Sequence, residues 1–129
     1  MYNGMLNIRK EPGYTSADVV AKLRGILHMR RIGHTGTLDP AAEGVLPVCL
    51  GSATKLCDHI ADRDKVYETV MRLGVTTDTE DMTGQILTEM SGGEVRRRVT
   101  EEALRETVQS FAGDYAQIPP MYSAIKVGG

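Results

Sequence analysis

The chain has 129 residues, of which 41% are hydrophobic and 25% are charged, and its formal net charge is -2. This length suits one domain with a modest core, and the composition is that of a soluble globular protein. The longest apolar run is far shorter than the roughly 20 residues of a membrane span, so we expect no membrane partner. The small net charge gives no overall signal for nucleic-acid binding.

The first elements predicted along the chain are a strand and an amphipathic helix. Residues 4–10 alternate between apolar and polar side chains and predict a short strand. Thr15 or Ser16 then offers a side-chain cap for a helix. The apolar positions of this helix form one stripe that faces a core, namely Val19, Val20, Leu23, Ile26 and Leu27.

A second strand and a second helix follow. Residues 45–50 form a continuous apolar run of strand length, and Pro47 within it favours an edge strand or a bulge. Residues 53–61 favour a helix whose inner side carries Leu56, Cys57 and Ile60. Cys49 and Cys57 match no zinc-binding spacing, so we expect two reduced thiols in a cytoplasmic protein.

The next part of the chain predicts two strands around an acidic loop. Residues 65–73 alternate and predict a strand, which would pair with a short strand at 85–89 across a loop at 76–84. A turn is expected at 91–93. The carboxylates of the loop lack the spacing of an EF-hand, which favours a solvated loop over a metal site: Asp78, Glu80 and Asp81.

The last predicted elements are a helix and a strand. Thr100 caps a helix over 101–111 that has two acidic residues in its first turn. Residues 123–127 predict a final strand. Because strands and helices are mixed without a strict βαβ repeat, the sequence predicts an α+β fold. We expect a mixed, mainly antiparallel sheet with flanking helices, in one domain that spans 1–129.

Basic residues collect in one stretch of a chain that is acidic overall. No acidic residue stands between Asp18 and Asp39, and the basic residues of that stretch are Lys22, Arg24, His28, Arg30, Arg31 and His34. This cluster favours either a nucleic-acid-binding face or an ordinary solvated helix end.

The glycine-rich loop, residues 33–44, carries one aspartate. Glycines leave room for a ligand to approach the backbone, and Pro40 restricts Asp39 to an extended conformation. A carboxylate held in this way is oriented for nucleophilic or general-base chemistry. The alternative is a turn residue whose side chain caps backbone amides.

Two blocks of the sequence, taken together, are specific enough to indicate a protein family. Gly-His-Thr-Gly-Thr-Leu-Asp-Pro occupies 33–40, and Pro-Pro-Met-Tyr-Ser-Ala occupies 119–124. Together with matches in the same order elsewhere, they resemble the TruB family of tRNA pseudouridine synthases over nearly the whole chain. Those further matches are Asn3-Gly4, Gly13 with Thr15-Ser16, Ala53-Thr54-Lys55, Lys65-x-Tyr67 and Leu73-Gly74.

The resemblance implies a pseudouridine synthase-like fold and an isomerase that needs no metal or cofactor. Such an enzyme flips the uridine at position 55 out of the tRNA T arm, breaks its N-glycosidic bond, turns the base and rejoins it through carbon. Asp39 is then the essential carboxylate, which either attacks the sugar or removes a sugar proton.

The same resemblance implies substrate-binding residues around Asp39. His34 supports the loop or the flipped nucleotide, Tyr67 stacks on the target base, and Arg30 and Arg31 touch phosphates. The alternatives are a loop hydrogen-bonder for His34 and a core aromatic for Tyr67. The remaining substrate-binding assignments are Lys10, Gly36, Thr37 and Leu38.

This chain differs from the family pattern at two flanking positions and in length. The family often has Asp-Lys-Pro where this chain has Arg9-Lys10-Glu11, and often has Thr at the position of Glu43. Because family members continue further, we expect a domain incomplete at its C-terminus, without an active-site arginine, whose open sheet edge favours self-association. The alternative function is an inactive RNA-binding or structural fragment.

Overall fold

A computed structural model of the chain describes residues 2–117. The chain divides into two compact units, Met1–Tyr67 and Glu68–Gly129. The assignment of the whole chain to one domain stays a prediction. The predicted strand at 123–127 and the block at 119–124 lie outside the described residues. Within the described part, no helix is long and apolar enough to cross a membrane.

The first unit contains a three-stranded sheet and its helices. Strand β1 (Gly4–Lys10) is followed by helix α1 (Ser16–Leu27), and strands β2 (Ile32–His34) and β3 (Gly44–Leu50) enclose the glycine-rich loop. A 3₁₀ helix (Gly51–Leu56) then leads into helix α2 (Cys57–Ala61). The sheet is antiparallel with the order β1-β3-β2, which confirms the predicted mixed α and β fold with an antiparallel sheet.

Helix α1 begins with a reciprocal cap. The Thr15 hydroxyl accepts a hydrogen bond from the Asp18 amide at 3.0 Å, and the Asp18 carboxylate accepts one from the Thr15 amide at 2.8 Å. The hydroxyl and amide of Thr15 together lower the pKa of Asp18. The predicted stripe is confirmed at Val19 and Val20, which are buried, but it is wrong at Ile26, whose side chain is 64% exposed.

Pro47 lies in the central strand, so the predicted edge strand is wrong. In an antiparallel ladder, the amide and carbonyl of one residue face the same neighbouring strand. The Pro47 carbonyl accepts the Thr35 amide at 3.1 Å, just beyond the last β2 pair, His34 with Val48. The missing N–H of Pro47 therefore faces the end of β2 and removes no hydrogen bond between β3 and β1.

The core of the first unit forms between α1 and the sheet. Val48 is 0% exposed and Leu46 is 1% exposed, and both project from the central strand β3. The buried core cluster consists of Val19, Val20, Met29, Ile32, Leu46, Val48 and Leu50. The predicted inner side of the 53–61 helix is wrong at Leu56, which is half exposed.

Gly51, directly after β3, packs closely against residues at the N-terminus. Its φ is +58°, and a Cβ there would stand 2.5 Å from the Tyr2 carbonyl oxygen and 2.2 Å from the Asn3 side-chain oxygen. That Asn3 oxygen also accepts the Ser52 amide at 2.8 Å. Only glycine therefore fits this position without displacing β1.

We expect Gly51→Ala to destabilise the protein. The left-handed conformation alone costs about 1–2 kcal/mol for a residue with a Cβ, and the contacts with Tyr2 and Asn3 add to that cost. Gly25→Ala is the matched control, because Gly25 lies within α1 and a Cβ there meets nothing within 4 Å. We expect that control to stabilise the helix by about 0.5–1 kcal/mol. Urea unfolding followed by circular dichroism measures both, and equal midpoints would contradict the prediction.

The second unit contains a two-stranded sheet and two helices. Strand β4 (Val75–Thr77) pairs antiparallel with strand β5 (Ile86–Glu89), and helices α3 (Gly92–Arg98) and α4 (Glu101–Gln109) follow. The Thr100 hydroxyl accepts the Ala103 amide at 3.2 Å, which confirms the predicted cap of α4. Helix α3 was not predicted, since a turn was expected at 91–93.

The predicted strand over 65–73 is wrong. Residues 65–72 are irregular, and β5 pairs with β4 instead. Val66 is 97% exposed and Val70 is 96% exposed. An alternating pattern becomes a strand only when a neighbouring strand satisfies its backbone groups, and within residues 2–117 no strand pairs with this segment.

Candidate active site in the glycine-rich loop

The glycine-rich loop is fastened to its own sheet and to α1. The Thr35 amide extends the strand pairing by its bond to Pro47, and the Thr35 side chain is buried. Further along, the Leu38 amide donates to the Ser16 hydroxyl at 2.9 Å. Ser16 is also buried, as the first residue of α1. The residue that precedes Asp39 is therefore fixed by a contact with α1.

The residue that follows Asp39 is fixed by the turn after β1. The Pro40 carbonyl accepts the Gly13 amide at 2.8 Å and the Lys10 ammonium at 3.3 Å. The same ammonium donates to the Tyr14 carbonyl at 2.7 Å and to the Glu11 carbonyl at 3.1 Å. Lys10 is only 1% exposed, so its charge is directed at three carbonyl oxygens of the protein itself. Its role in substrate binding stays a prediction.

Asp39 lies between these two fixed points, and its side chain is exposed. Its carbonyl accepts the Ala42 amide at 3.0 Å, which closes a turn with Pro40 at the second position. No hydrogen bond to the Asp39 carboxylate is found among residues 2–117. The turn thus uses the backbone of Asp39, and the carboxylate is left available as a nucleophile or base.

The other loop residues assigned to substrate binding differ in exposure. Gly36 is half-buried and Thr37 is exposed. Leu38 packs against the core, and its Cδ1 atom lies 3.8 Å from where a Cβ on Gly44 would stand. The loop therefore combines an apolar anchor at Leu38 with an accessible backbone near Asp39.

His34 ends β2 at the entrance of the loop. Its side chain is half-buried and its Nδ1 atom is buried. Within the described part of the chain, this nitrogen has no hydrogen-bond partner. Because buried polar atoms are nearly always satisfied, such an atom is suited to bind a ligand or a water molecule.

The two arginines assigned to phosphate binding lie between α1 and β2. Both Arg30 and Arg31 are exposed. The Arg31 Nε atom donates to the Thr54 hydroxyl at 2.9 Å, which orients that guanidinium across the start of the 3₁₀ helix. Both cations thus adjoin the loop in sequence and are accessible to a polyanion.

Tyr67 and a lysine missed as a site residue follow α2. Tyr67 is 66% exposed, which disagrees with the core aromatic alternative. Two residues earlier, the Lys65 side chain reaches the loop, with Cε 3.7 Å from where a Cβ on Gly36 would stand. The Lys65 ammonium donates to the carbonyls of Ala61 and Arg63. In the sequence, Lys65 stands out only as part of the family-like Lys65-x-Tyr67 match. That match does not predict the contact between Lys65 and Gly36.

Arg9 and Glu43, which both depart from the family pattern, form an ion pair. The Arg9 Nε atom donates to the Glu43 carboxylate at 2.7 Å, from β1 to the end of the loop. The hydrogen bond and the charge of Glu43 raise the pKa of Arg9. Both side chains are largely exposed, so we assign the pair a small share of stability.

The carboxylates of Asp78 and Asp81, in the acidic loop of the second unit, accept hydrogen bonds from neighbouring residues of the chain. Asp78 accepts the Gln85 amide at 2.7 Å, and Asp81 accepts the Thr83 amide at 2.8 Å. Hydrogen bonds from Thr83 and Thr79 lower the pKa of Asp81. Among residues 2–117, no group of three or more His, Cys, Asp or Glu side chains could hold a metal ion.

Comparison with curated proteins gives relatives over the whole chain. The tRNA pseudouridine synthase B of Staphylococcus saprophyticus is 50% identical over 129 residues, and that of Alkaliphilus oremlandii is 52% identical over 129 residues. The match covers 100% and 98% of this chain, but only 42% and 41% of those relatives. The chain therefore spans about two-fifths of the length of the curated proteins it matches.

A solved structure and a family model agree with these relatives. The chain matches the crystal structure of a Cbf5-Nop10-Gar1 complex with a TM-score of 0.61 and 29% identity, over 95% of this chain and 31% of that one. This similarity confirms the pseudouridine synthase-like fold. The family model described as TruB family pseudouridylate synthase (N terminal domain) matches residues 24–129. The chain belongs to the TruB family of pseudouridylate synthases.

Proposed function

We propose that this chain is the N-terminal part of the catalytic domain of a cytoplasmic tRNA pseudouridine synthase. The observation that carries the proposal is the exposed Asp39 carboxylate between two backbone positions that are fixed by Ser16, Gly13 and Lys10. The names of the relatives support RNA as the substrate class, and tRNA in particular. The activity belongs to the full-length protein.

The proposed substrate is the uridine at position 55 in the T arm of tRNA. The flipped nucleotide lies against the loop, where Asp39 attacks the sugar or removes a sugar proton as the N-glycosidic bond breaks. The base then turns and rejoins the sugar through carbon. His34 Nδ1 supplies a hydrogen-bonding atom beside the flipped nucleotide. Gly36 and Thr37 allow close approach of the RNA, while Leu38 anchors the loop.

A tritium-release assay tests the proposed function. Full-length protein is incubated with tRNA labelled at C5 of uridine, because the new carbon bond releases that hydrogen. We expect release from unmodified tRNA and none from a matched tRNA with cytidine at position 55. Binding of both RNAs without release would instead support the alternative of an RNA-binding protein without turnover. Equal release from both RNAs would contradict the proposed target.

Tyr67 is proposed to stack on the target base. We expect Tyr67→Leu to weaken formation of the reactive complex by roughly 1–3 kcal/mol, the usual contribution of base stacking. Tyr67→Phe keeps the ring and is the matched control for stacking. Single-turnover rates at several RNA concentrations separate binding from chemistry. If Leu and Phe both behave like the parent, Tyr67 has no role in stacking.

Arg30 and Arg31 are proposed to contact phosphates without reading sequence. We expect Arg30→Ala with Arg31→Ala to weaken RNA binding and to reduce its salt dependence by about one unit of slope per lost contact. Arg96→Ala with Arg97→Ala is the control, since it removes equal charge from exposed positions of α3. RNA binding is measured across a salt series. The proposal is contradicted if both double variants show the same salt dependence as the parent protein.

A further inference from the structure

Two thiols share one face of the three-stranded sheet where the glycine-rich loop begins. Cys49 of β3 lies directly opposite Gly33 of β2. Directly opposite residues in a ladder project from the same face of the sheet. The Cys57 sulfur lies 3.5 Å from where a Cβ on Gly33 would stand. Because Gly33 has no side chain, the Cys57 thiol occupies the space beside Cys49.

The two thiols differ in accessibility. Cys49 is fully buried in the centre of the sheet, whereas Cys57 is partly exposed at the first residue of α2. Burial and the neighbouring Cys57 sulfur raise the pKa of the Cys49 thiol to about 11. Cys49 is therefore protonated at neutral pH, and an oxidant dissolved in water meets Cys57 first.

We propose that Cys49 and Cys57 form a reversible intramolecular disulfide when the protein meets a hydroperoxide. This redox modification site is distinct from the Asp39 carboxylate and does not depend on the proposed function. Opposite Cα atoms in an antiparallel ladder are about 4.5–5.5 Å apart, so the Cys57 sulfur, which lies beside Gly33, is about one cross-strand spacing from Cys49. The bond then needs rotation of the side chains rather than a new path of the backbone.

The chemistry takes two steps. The Cys57 thiolate attacks the peroxide, so that an S–O bond forms, the O–O bond breaks and an alcohol or water leaves. The Cys49 sulfur then attacks the Cys57 sulfenic acid, so that the S–S bond forms and the S–O bond breaks. The Cys49 thiol has by then given its proton to solvent, and the departing hydroxide takes up a proton from solvent and leaves as water. Two electrons pass from the thiols to the peroxide, and a dithiol reductant reverses the change.

The disulfide would bind the beginning of α2 to β3 across Gly33. Gly33 is the first residue of the glycine-rich loop, and its neighbour His34 has the buried nitrogen that finds no partner among residues 2–117. The covalent link therefore restrains the backbone from which the loop starts. A reduced protein keeps this position free to adjust.

Peptide mass spectrometry tests the proposal on the full-length protein. The protein is treated with hydrogen peroxide, unfolded in urea so that its free thiols can be alkylated, and cut with trypsin without reduction. Trypsin cuts after Lys55, so the two cysteines fall in peptides 32–55 and 56–63. We expect these peptides to be joined, with a mass two hydrogen atoms below their sum, and to separate after reduction. Alkylation of both cysteines after peroxide treatment would overturn the proposal.

Two variants distinguish the steps. In Cys49→Ala, we expect a sulfenic acid at Cys57 that a 1,3-dione traps, because the second thiol is absent. In Cys57→Ser, we expect Cys49 to stay alkylatable after peroxide treatment. Circular dichroism confirms the fold of both, and Cys49→Ser replaces Cys49→Ala if the latter unfolds. Trapping of Cys57 in the parent at the level seen in the variant would overturn the proposal, as would links between two chains in place of the internal one.

The raised pKa of Cys49 adds a test with a defined sign. The second step needs the Cys49 thiolate, whose fraction grows as the pH rises towards about 11. We expect disulfide formation from the sulfenic acid to accelerate as the pH rises from 7 to 9, because burial raises the pKa of the Cys49 thiol and the thiolate is the minor form in this range. Stopped-flow mixing with peroxide, quenched with the 1,3-dione, measures this step. A rate that does not change with pH would contradict the assignment of Cys49 as the resolving thiol.

Discussion

Asp39→Asn in the full-length protein is expected to abolish detectable pseudouridine formation while tRNA binding stays nearly unchanged. A positioned base or nucleophile typically contributes roughly 10²–10⁴-fold to rate, and in this case the carboxylate is also proposed to react with the sugar itself. Asparagine has nearly the same shape but cannot accept the proton or attack as a carboxylate does. The turn should survive, because it uses the Asp39 carbonyl and not the side chain.

The matched control is Asp58→Asn, an exposed aspartate in the first turn of α2. We expect its tritium-release rate to equal that of the parent. Filter binding with labelled tRNA and thermal melting of both variants separate a chemical defect from loss of the fold. Appreciable turnover by Asp39→Asn would exclude Asp39 as the essential carboxylate. If the loss of turnover merely matched the fraction of variant protein that is unfolded, Asp39 would have a role in folding and none in the chemistry.

The first unit was largely predictable because its signals are local. Alternation over 4–10, the Thr15 cap and the apolar run at 45–50 each specify one element, and the structure has a strand, a helix and a strand there. Pro47 shows the limit of such rules. A proline is excluded from a central strand only where its missing amide faces a partner, and the short β2 ends before that point.

The chain from residue 65 onwards was less predictable, because an alternating pattern does not show whether a partner strand exists. Residues 65–73 alternate as well as 4–10 do, yet only the latter has a partner strand among residues 2–117. Helix α3 has a local signal that was overlooked. Ser91 accepts the Glu94 amide at 3.3 Å, as the Ser-x-x-Glu spacing of a capping box suggests, but the two intervening glycines favoured a turn.

The sequence singled out candidate site residues, which stay predictions, but it could not predict the contacts that support them. The motif at 33–40 singled out Asp39, whereas the contacts from Ser16, Gly13 and Lys65 cross 20 to 30 residues of chain and leave no local pattern. The Arg9–Glu43 pair is instructive in the same way. Each residue on its own is a departure from the family pattern, and only the register of β1 against β3 brings the two side chains together.

Lys10 provides the strongest test of how the loop is supported. Its buried ammonium donates to the carbonyls of Pro40, Tyr14 and Glu11, and so joins the turn after β1 to the residue that follows Asp39. Lys10→Met keeps most of the side-chain volume but removes all three donors. The carbonyls of Tyr14 and Glu11 lose this donor, whereas Pro40 keeps its bond from the Gly13 amide. A typical hydrogen bond of this kind contributes about 1 kcal/mol.

We therefore expect Lys10→Met to lower the melting temperature and to reduce kcat of the full-length enzyme more than it raises KM for tRNA. A displaced Pro40 moves Asp39 away from its reactive position, and misplacement by about 1 Å can cost roughly a hundredfold in rate. Lys22→Met is the stability control, because Lys22 is an exposed lysine whose ammonium contacts only the Tyr14 ring and hydroxyl among the described residues. If Lys10 instead binds a phosphate, its replacement will raise KM, flatten the salt dependence of RNA binding and leave kcat at saturating tRNA unchanged. That result would favour the substrate-binding role that the resemblance predicts for Lys10. It would also refute the proposal that the Lys10 ammonium holds Asp39 in position.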